Sequence, residues 1–288
     1  MYSTSPNPKR SQGGYAALAL VLVIAVTLAA LIAAYSARRG YVGVSQTHRA
    51  QREFLARAQR RITRYYSANA AAMDANLNAP WTGAQLLANA GVPSRWLVEA
   101  FVGARQSLPI DGGMATLDYR DVWLALPGNA TGGPATTATL DRTTNTFNPG
   151  TSPAWTEIHG ETIEAALTVR AQKQLNRWGS RLTAMYAADT ASDPGRNIGV
   201  DYWQPEGCGP YGGGIITCTN GQFLSASNMG LSTALGAQRI SANNPWGLSL
   251  QISNTVDAND TAPPYTLAIK SPLPWGGAIY ATVTEPLT

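Results

Sequence analysis

One uncharged apolar run, from Tyr15 to Ala37, constrains this chain more than any other feature. The run has 23 residues, and a helix of that length, at about 1.5 Å of rise per residue, spans the roughly 30 Å hydrocarbon core of a bilayer. It is longer than the stretch of about 7 to 15 apolar residues in an ordinary secretory signal. We therefore predict a transmembrane helix that includes Tyr15, Leu22, Leu31 and Ala37, with the lipid bilayer as its partner.

The apolar run continues into a polar stretch without an obvious helix breaker. No proline occurs between Pro8 and Pro80, and proline costs about 3 kcal/mol in a helix interior. The pattern predicts one helix from Tyr15 to about Asn69, roughly 80 Å long. Its first half is transmembrane and its second half is an amphipathic stem.

Charge is distributed unevenly along the chain. The whole chain carries a net charge of +4, but the first 64 residues contain ten basic residues and one acidic residue. Basic residues flank both ends of the apolar run, so the positive-inside rule does not by itself fix the orientation. The leader before Tyr15 is too short to be a domain, which favours a globular part on the outer side of the membrane.

Four arginines and two tyrosines lie close together from Arg57 to Tyr66. This mixture also occurs in nucleic-acid-binding and membrane-surface helices. A solvated arginine face on a long helix is the commoner cause of such a pattern. Nucleic acid is therefore not expected as a partner.

The two cysteines, Cys208 and Cys218, lie in a glycine-rich segment. Their spacing differs from that of zinc knuckles and redox motifs, and neither His48 nor His159 is near them in sequence. A disulfide in an oxidising compartment is the favoured interpretation, worth about 2 to 3 kcal/mol. Two reduced core thiols are the alternative.

Two segments resemble each other. Arg57–Tyr65 aligns without gaps with Arg170–Trp178, and four of the aligned positions are identical. Each segment begins a series in which a helix is followed by a turn-rich loop and strand-like sequence. An internal duplication and a coincidence between two solvated helices remain open as explanations.

The rest of the chain predicts a second helix and several strands. The helix is expected from about Glu157 to Ala188, with Thr156 as its N-cap. Alternating polar and apolar residues predict an antiparallel meander near the C-terminus. The segments expected to form strands are Met114–Leu126, Leu248–Asn254, Tyr265–Lys270 and Ala278–Val283.

No catalytic motif stands out, and we predict that the protein is not an enzyme and has no cofactor or metal. The sequence lacks a Gly-x-Ser-x-Gly elbow, a His-Glu-x-x-His pair and a P-loop. His159 has the position of a helix-start residue. Asp257, Asn259 and Asp260 lack the glycine and distal glutamate of a calcium loop, so a solvated turn is expected there.

The short basic leader, Lys9-Arg10-Ser11-Gln12-Gly13-Gly14, directly precedes the apolar run. Together they resemble the class III signal of type IV pilins and pseudopilins. The resemblance implies that a prepilin peptidase cuts after Gly14 and leaves Tyr15 as the mature N-terminus. Members of this family usually have a glutamate at the fifth mature position, where this chain has Ala19. The departure implies a minor subunit near the filament tip.

A second point of resemblance lies far from the first. The segment Asn243-Asn-Pro-Trp-Gly resembles the Asp/Asn-Pro-Trp-Gly turn that precedes the sheet in many pilins. Pro-Trp-Gly occurs again at Pro274-Trp275-Gly276, also before a predicted strand. Such a turn is fixed by its proline and places an aromatic ring beneath the sheet.

The predicted fold is α+β, with the long N-terminal helix packed on an antiparallel head. We expect a leader at 1–14, a transmembrane helix at 15–37, a stem and first pilin-like head at 38–150, and a second helix and β-rich head with a disulfide at 151–288.

The resemblance implies a minor pilin of a type IV pilus, first single-pass in the bacterial inner membrane with a periplasmic head and then extracellular. Its implied partners are the prepilin peptidase, other pilin subunits and the inner-membrane assembly platform. The alternatives are a pseudopilin of a type II secretion system and a pilus-displayed adhesin that binds a surface receptor.

Overall fold

A computed structural model of the chain describes residues 30–31, 49–74, 81–113, 115–128, 136–192, 223–226, 241–253 and 264–285. The chain divides into two compact units, Met1–Phe54 and Leu55–Thr288. Of the predicted transmembrane segment, residues 30 and 31 are described, and both are helical. In the part of the chain that the structure describes, every helix is too short or too polar to span a bilayer.

Residues 49–74 form helix α1. Arg57, Arg60 and Arg64 are exposed on the face opposite its buried side chains. This arrangement agrees with the predicted amphipathic stem. The helix continues beyond Asn69, where we expected its end, because its last turn contributes further buried residues. The buried apolar side chains recur every three or four residues: Leu55, Ala58, Ile62, Tyr66, Ala70 and Met73.

A short helix, α2 (Gly83–Asn89), follows in the second unit and begins with a capping box. The Gln85 amide nitrogen donates to the Thr82 hydroxyl at 3.2 Å. In return, the Thr82 amide nitrogen donates to the Gln85 side-chain oxygen at 3.0 Å. Two amide donors at the helix start are thereby satisfied.

The first sheet has three antiparallel strands in the order β1-β4-β7. Two antiparallel hairpins, β2-β3 and β5-β6, accompany it. Phe147 of β6 stacks on Trp123 of β4, with ring centroids 5.8 Å apart. The bounds are β1 (Glu99–Val102), β2 (Gln106–Ile110), β3 (Ala115–Tyr119), β4 (Val122–Ala125), β5 (Thr139–Asp141), β6 (Thr146–Asn148) and β7 (Trp155–Ile158).

The predicted strand segment Met114–Leu126 is divided between two sheets. β3 pairs with β2, whereas β4 pairs with β1 and β7. The extended segment is interrupted between these two strands at Arg120. The side chain of Arg120 is buried and donates to backbone carbonyls. The alternation of polar and apolar residues therefore located the strands but did not reveal the break.

The long helix α3 spans Gly160–Ser192. The prediction that it begins at Glu157 with Thr156 as N-cap was wrong, because both residues belong to β7. Thr156 lies opposite Leu124 in the ladder with β4. Pairing with an existing strand has overridden the helical pattern. The buried stripe of α3 comprises Ile163, Leu167, Ala171, Leu175, Trp178, Leu182 and Tyr186.

The second sheet is a four-stranded antiparallel array in the order β11-β10-β9-β8. The three strands nearest the C-terminus, β9, β10 and β11, form the predicted meander. Helix α3 packs on β10 and β11. The strand predicted at 248–254 begins at Gln251 rather than at Leu248, because Asn244 holds Trp246 and Leu248 in a turn. The bounds are β8 (Leu224–Ser225), β9 (Gln251–Ser253), β10 (Thr266–Pro272) and β11 (Ala278–Thr284).

The fold is thus α+β, with antiparallel sheets and one long helix. The two similar segments of sequence lie on α1 and α3 and bury equivalent positions. Ala58 corresponds to Ala171 and Ile62 to Leu175, and all four have no exposed surface. Strand β7 of the second predicted head pairs with β4 of the first. The tandem arrangement of two heads stays a prediction.

Candidate functional site

Two carboxyl groups meet in the interior where α1, α3 and the Asn-Pro-Trp-Gly turn come together. Asp74 is at the end of the described part of α1, and Glu164 is on the second turn of α3. Neither has any exposed surface. Their side chains form a hydrogen bond with each other. An isolated buried carboxylate would be very costly, so such a pair is stable only with a proton and further donors.

Each carboxyl group receives one further donor. The Tyr66 hydroxyl donates to Oδ1 of Asp74 at 2.9 Å, and Nε1 of Trp246 donates to Oε2 of Glu164 at 2.8 Å. The remaining oxygens, Oδ2 of Asp74 and Oε1 of Glu164, receive no donor from any other described group. A single proton held between the two carboxyl groups satisfies both.

The pKa values indicate which group holds that proton. Burial, followed by the hydrogen bond and repulsion from Glu164, raises the pKa of Asp74 from 3.8 to about 9. Burial also raises the pKa of Glu164, but hydrogen bonds with Asp74 and Trp246 oppose the rise. At neutral pH the Asp74 carboxyl is therefore protonated, and Glu164 accepts the hydrogen bond from it.

Tyr66 and Arg120 extend this network to the first sheet. The Arg120 amide nitrogen donates to the Tyr66 hydroxyl at 2.9 Å. The guanidinium of Arg120 donates to the carbonyls of Met73 and Gly103, both at 3.1 Å. Burial raises the pKa of Tyr66 and lowers that of Arg120. We refer to Tyr66, Asp74, Arg120, Glu164 and Trp246 as the proton-sharing network. It joins both helices, the first sheet and the turn.

The sequence analysis did not identify this network. Asp74 and Glu164 are 90 residues apart, and neither belongs to a known catalytic motif. One signal was present: each acidic residue falls on the apolar face of an amphipathic helix, where a charge is expensive. Such a position predicts a buried partner but does not say which residue it is.

A groove on the surface of α3 has a strongly basic lining. Arg170, Lys173 and Arg177 line it together with Ser67 of α1 and the segment 241–245, and its volume is about 440 Å³. All three cationic residues are exposed. We refer to this feature as the α3 groove.

The segment on the far side of the α3 groove is held firmly against the helix. Gln174 Nε2 donates to the carbonyls of Ser241 and Asn243 at 2.6 and 2.9 Å. Trp178 Nε1 donates to the Ser241 carbonyl at 3.2 Å. Asn244 Nδ2 donates to the Pro272 carbonyl at 2.7 Å, which ties the segment to the second sheet. The groove therefore has a fixed wall.

A third group of polar side chains surrounds the start of α3. The ligand-type atoms of Asp121, Glu157 and His159 lie within 4.8 Å of one another. Oδ1 of Asp121 accepts from the Gly160 amide nitrogen at 3.1 Å, and Oδ2 accepts from the Gln106 side chain at 2.7 Å. Asp121 thus acts as a cap for α3 from a neighbouring loop. His159 directly precedes the helix, whereas the predicted start at Glu157 placed it in the first turn.

Most site residues predicted from the sequence lie outside the described residues. Leu31 is described, and it is helical with 67% of its surface exposed. The processing site, the cysteine pair and the candidate calcium loop stay predictions. The residues outside the described ranges are Gly14, Tyr15, Leu22, Ala37, His48, Cys208, Cys218, Asp257, Asn259 and Asp260.

Comparisons with models of known protein families, with curated proteins and with solved structures give no match. The resemblance to pilins therefore rests on the leader, the apolar run and the Asn-Pro-Trp-Gly turn.

Proposed function

We propose that this chain is a minor pilin-like structural subunit of a type IV pilus, at or near the filament tip. The observation that carries the proposal is the basic leader ending in Gly14, directly before an uncharged run of 23 residues. Ala19 occupies the position of the usual glutamate, which favours a subunit present in few copies. The apolar helix anchors the protein in the inner membrane until the assembly platform extracts it.

Two features of the head support this proposal. The buried face of α1 packs in a unit with antiparallel sheets, as a pilin stem helix packs on its head. The Asn-Pro-Trp-Gly turn has a structural role, because Trp246 is buried and donates to Glu164. In the proposal the Cys208–Cys218 disulfide forms in the periplasm, and the head becomes extracellular with the pilus.

The maturation step tests the proposal. When the full-length chain is co-expressed with a prepilin peptidase, the intact mass is expected to correspond to a chain starting at Tyr15. Gly14→Val is expected to abolish cleavage, because a branched side chain then occupies the subsite next to the scissile bond. Gly13→Val serves as the matched control and is expected to be processed.

The measurement is the intact mass of each purified chain, with sequencing of its N-terminus. A wild-type chain that keeps Met1, or that begins at or beyond residue 38, would refute the proposed function. Equal processing of Gly14→Val and Gly13→Val would refute the proposed cleavage position.

A pilus-displayed adhesin is the second candidate, and Ala19 is the observation that favours it. A pseudopilin of a type II secretion system shares the same maturation step. Copy number in sheared filaments separates a shaft subunit, which occurs at many copies, from a tip subunit or an adhesin, which occurs at few. Recovery of the chain only with a secretion system, and not with pili, would favour the pseudopilin.

A further inference from the structure

The cationic side chains of the α3 groove form a regular row. Arg170, Lys173 and Arg177 are spaced by three and then four residues, so they lie on one side of α3. No acidic residue occurs between Glu164 and Asp189 in the sequence. Among the described residues, no salt bridge involves the row. Within the described part of the chain, the helix therefore carries three like charges without a compensating acid beside them.

This arrangement is unfavourable unless something else compensates for it. Like charges three or four residues apart on a helix destabilise it by a few tenths of a kcal/mol per pair. An anion held between the three side chains removes that repulsion and gains charge-assisted hydrogen bonds. The electrostatics of α3 thus favour an anionic ligand.

The shape of the surface restricts the ligand further. The three side chains line a concave groove rather than a convex helix face, and its far wall is the segment 241–245. A cleft lined by one sign of charge concentrates the electric field more than an open surface does. A volume of about 440 Å³ suits a small ligand or one headgroup.

The aligned row on α1 provides an internal comparison. Arg57, Arg60 and Arg64 occupy the positions that correspond to Arg170, Lys173 and Arg177. None of the three lines the α3 groove, and Glu53 lies within a turn of Arg57. The α1 row therefore carries similar charge outside the α3 groove.

We propose that the α3 groove binds a phosphate group, carried either by an anionic phospholipid headgroup or by a small phosphorylated ligand. The two arginines match the oxygens of phosphate with planar forks of N–H donors, and the lysine adds a compact charge between them in sequence. A phosphomonoester or inorganic phosphate bears more charge than a carboxylate, and a phosphodiester bears one charge spread over two oxygens that two arginines can contact at once. This binding goes beyond the structural role in a pilus and does not depend on it.

Calorimetry on the full-length chain in a non-ionic detergent tests the proposal. The probes are inorganic phosphate, as the free source, and glycerophosphoglycerol, the headgroup of phosphatidylglycerol. Lys173→Gln/Arg177→Gln is expected to weaken binding of the preferred probe at least about tenfold, since two of three charge-assisted contacts are lost. Arg60→Gln/Arg64→Gln removes equal charge from the aligned positions of α1 and is expected to change affinity less than about twofold.

Each outcome has a defined meaning. Tighter binding of glycerophosphoglycerol supports a lipid headgroup, and tighter binding of inorganic phosphate supports a free ligand. The proposal is overturned if neither probe binds the wild type, or if both double variants weaken binding equally. Should the groove double variant lose its thermal unfolding transition, the single variant Lys173→Gln replaces it, with Arg60→Gln as its control.

Discussion

The free energy of unfolding of this protein is expected to fall as the pH rises from about 4 to about 9. Asp74 titrates near 3.8 when the chain is unfolded and at about 9 when it is folded. Between these values the folded state binds one more proton than the unfolded state. The stabilisation is therefore complete below the unfolded pKa and is lost as the pH rises through the folded pKa, at up to about 1.4 kcal/mol per pH unit.

Asp74→Asn is expected to remove this dependence. The asparagine oxygen keeps the hydrogen bond from Tyr66, and its Nδ2 group donates to Glu164 in place of the carboxyl proton. Because the amide does not titrate, the variant is expected to gain roughly 4 kcal/mol relative to the wild type between pH 5 and pH 8. Urea unfolding monitored by tryptophan fluorescence at both pH values measures the change.

The matched control is Asp141→Asn, the same substitution at an exposed residue. Hydrogen bonds from Thr143 and Thr144 lower the pKa of Asp141, so this group titrates in acid and its replacement leaves the slope between pH 5 and pH 8 unchanged. A wild-type protein whose stability rises over that interval, or an Asp74→Asn variant with the wild-type slope, would contradict the proton-sharing network.

The second large effect is expected at Gly160, the first residue of α3. A Cβ atom there would collide with the Arg120 carbonyl oxygen and approach the Tyr66 hydroxyl to 2.7 Å. The carbonyl belongs to the backbone and cannot rotate away, so Gly160→Ala forces the helix start away from the first sheet. We expect a loss of roughly 3 kcal/mol in the free energy of unfolding.

Gly179→Ala provides a control on the same helix with the opposite expected sign. A Cβ atom at Gly179 would meet Val283 Cγ2 at 3.4 Å, an ordinary contact. Alanine in a helix interior is favoured over glycine by about 1 kcal/mol. Thermal unfolding at constant pH compares the two variants. If Gly160→Ala is as stable as the wild type, the close approach of α3 to Arg120 is refuted.

Much of the fold could be predicted because its elements have strong local periodicity. The recurrence of apolar residues along α1 and α3 follows the 3.6-residue helical repeat, which holds whatever surrounds the helix. Alternation predicted β10 and β11 nearly to their ends for the same reason. Element boundaries were less accurate: Thr156 and Glu157 had a helix-start pattern, yet pairing with β4 placed them in a strand.

The candidate sites were less accessible to sequence reasoning. The aligned rows Arg57–Tyr65 and Arg170–Trp178 gave no hint that only the second lines a groove with the segment 241–245. Likewise, an acidic residue on an apolar helix face predicts a buried hydrogen-bond partner, but many side chains in a chain of 288 residues could be that partner.

The amino-acid order by itself determined the amphipathic helices and the antiparallel meander, because each depends on residues close together in the chain. Tertiary structure alone decided where α3 begins, that Asp74 meets Glu164, and that three cations of α3 face a fixed wall. These outcomes depend on contacts between distant segments, and the packing of the whole unit selects among the partners that local patterns leave open.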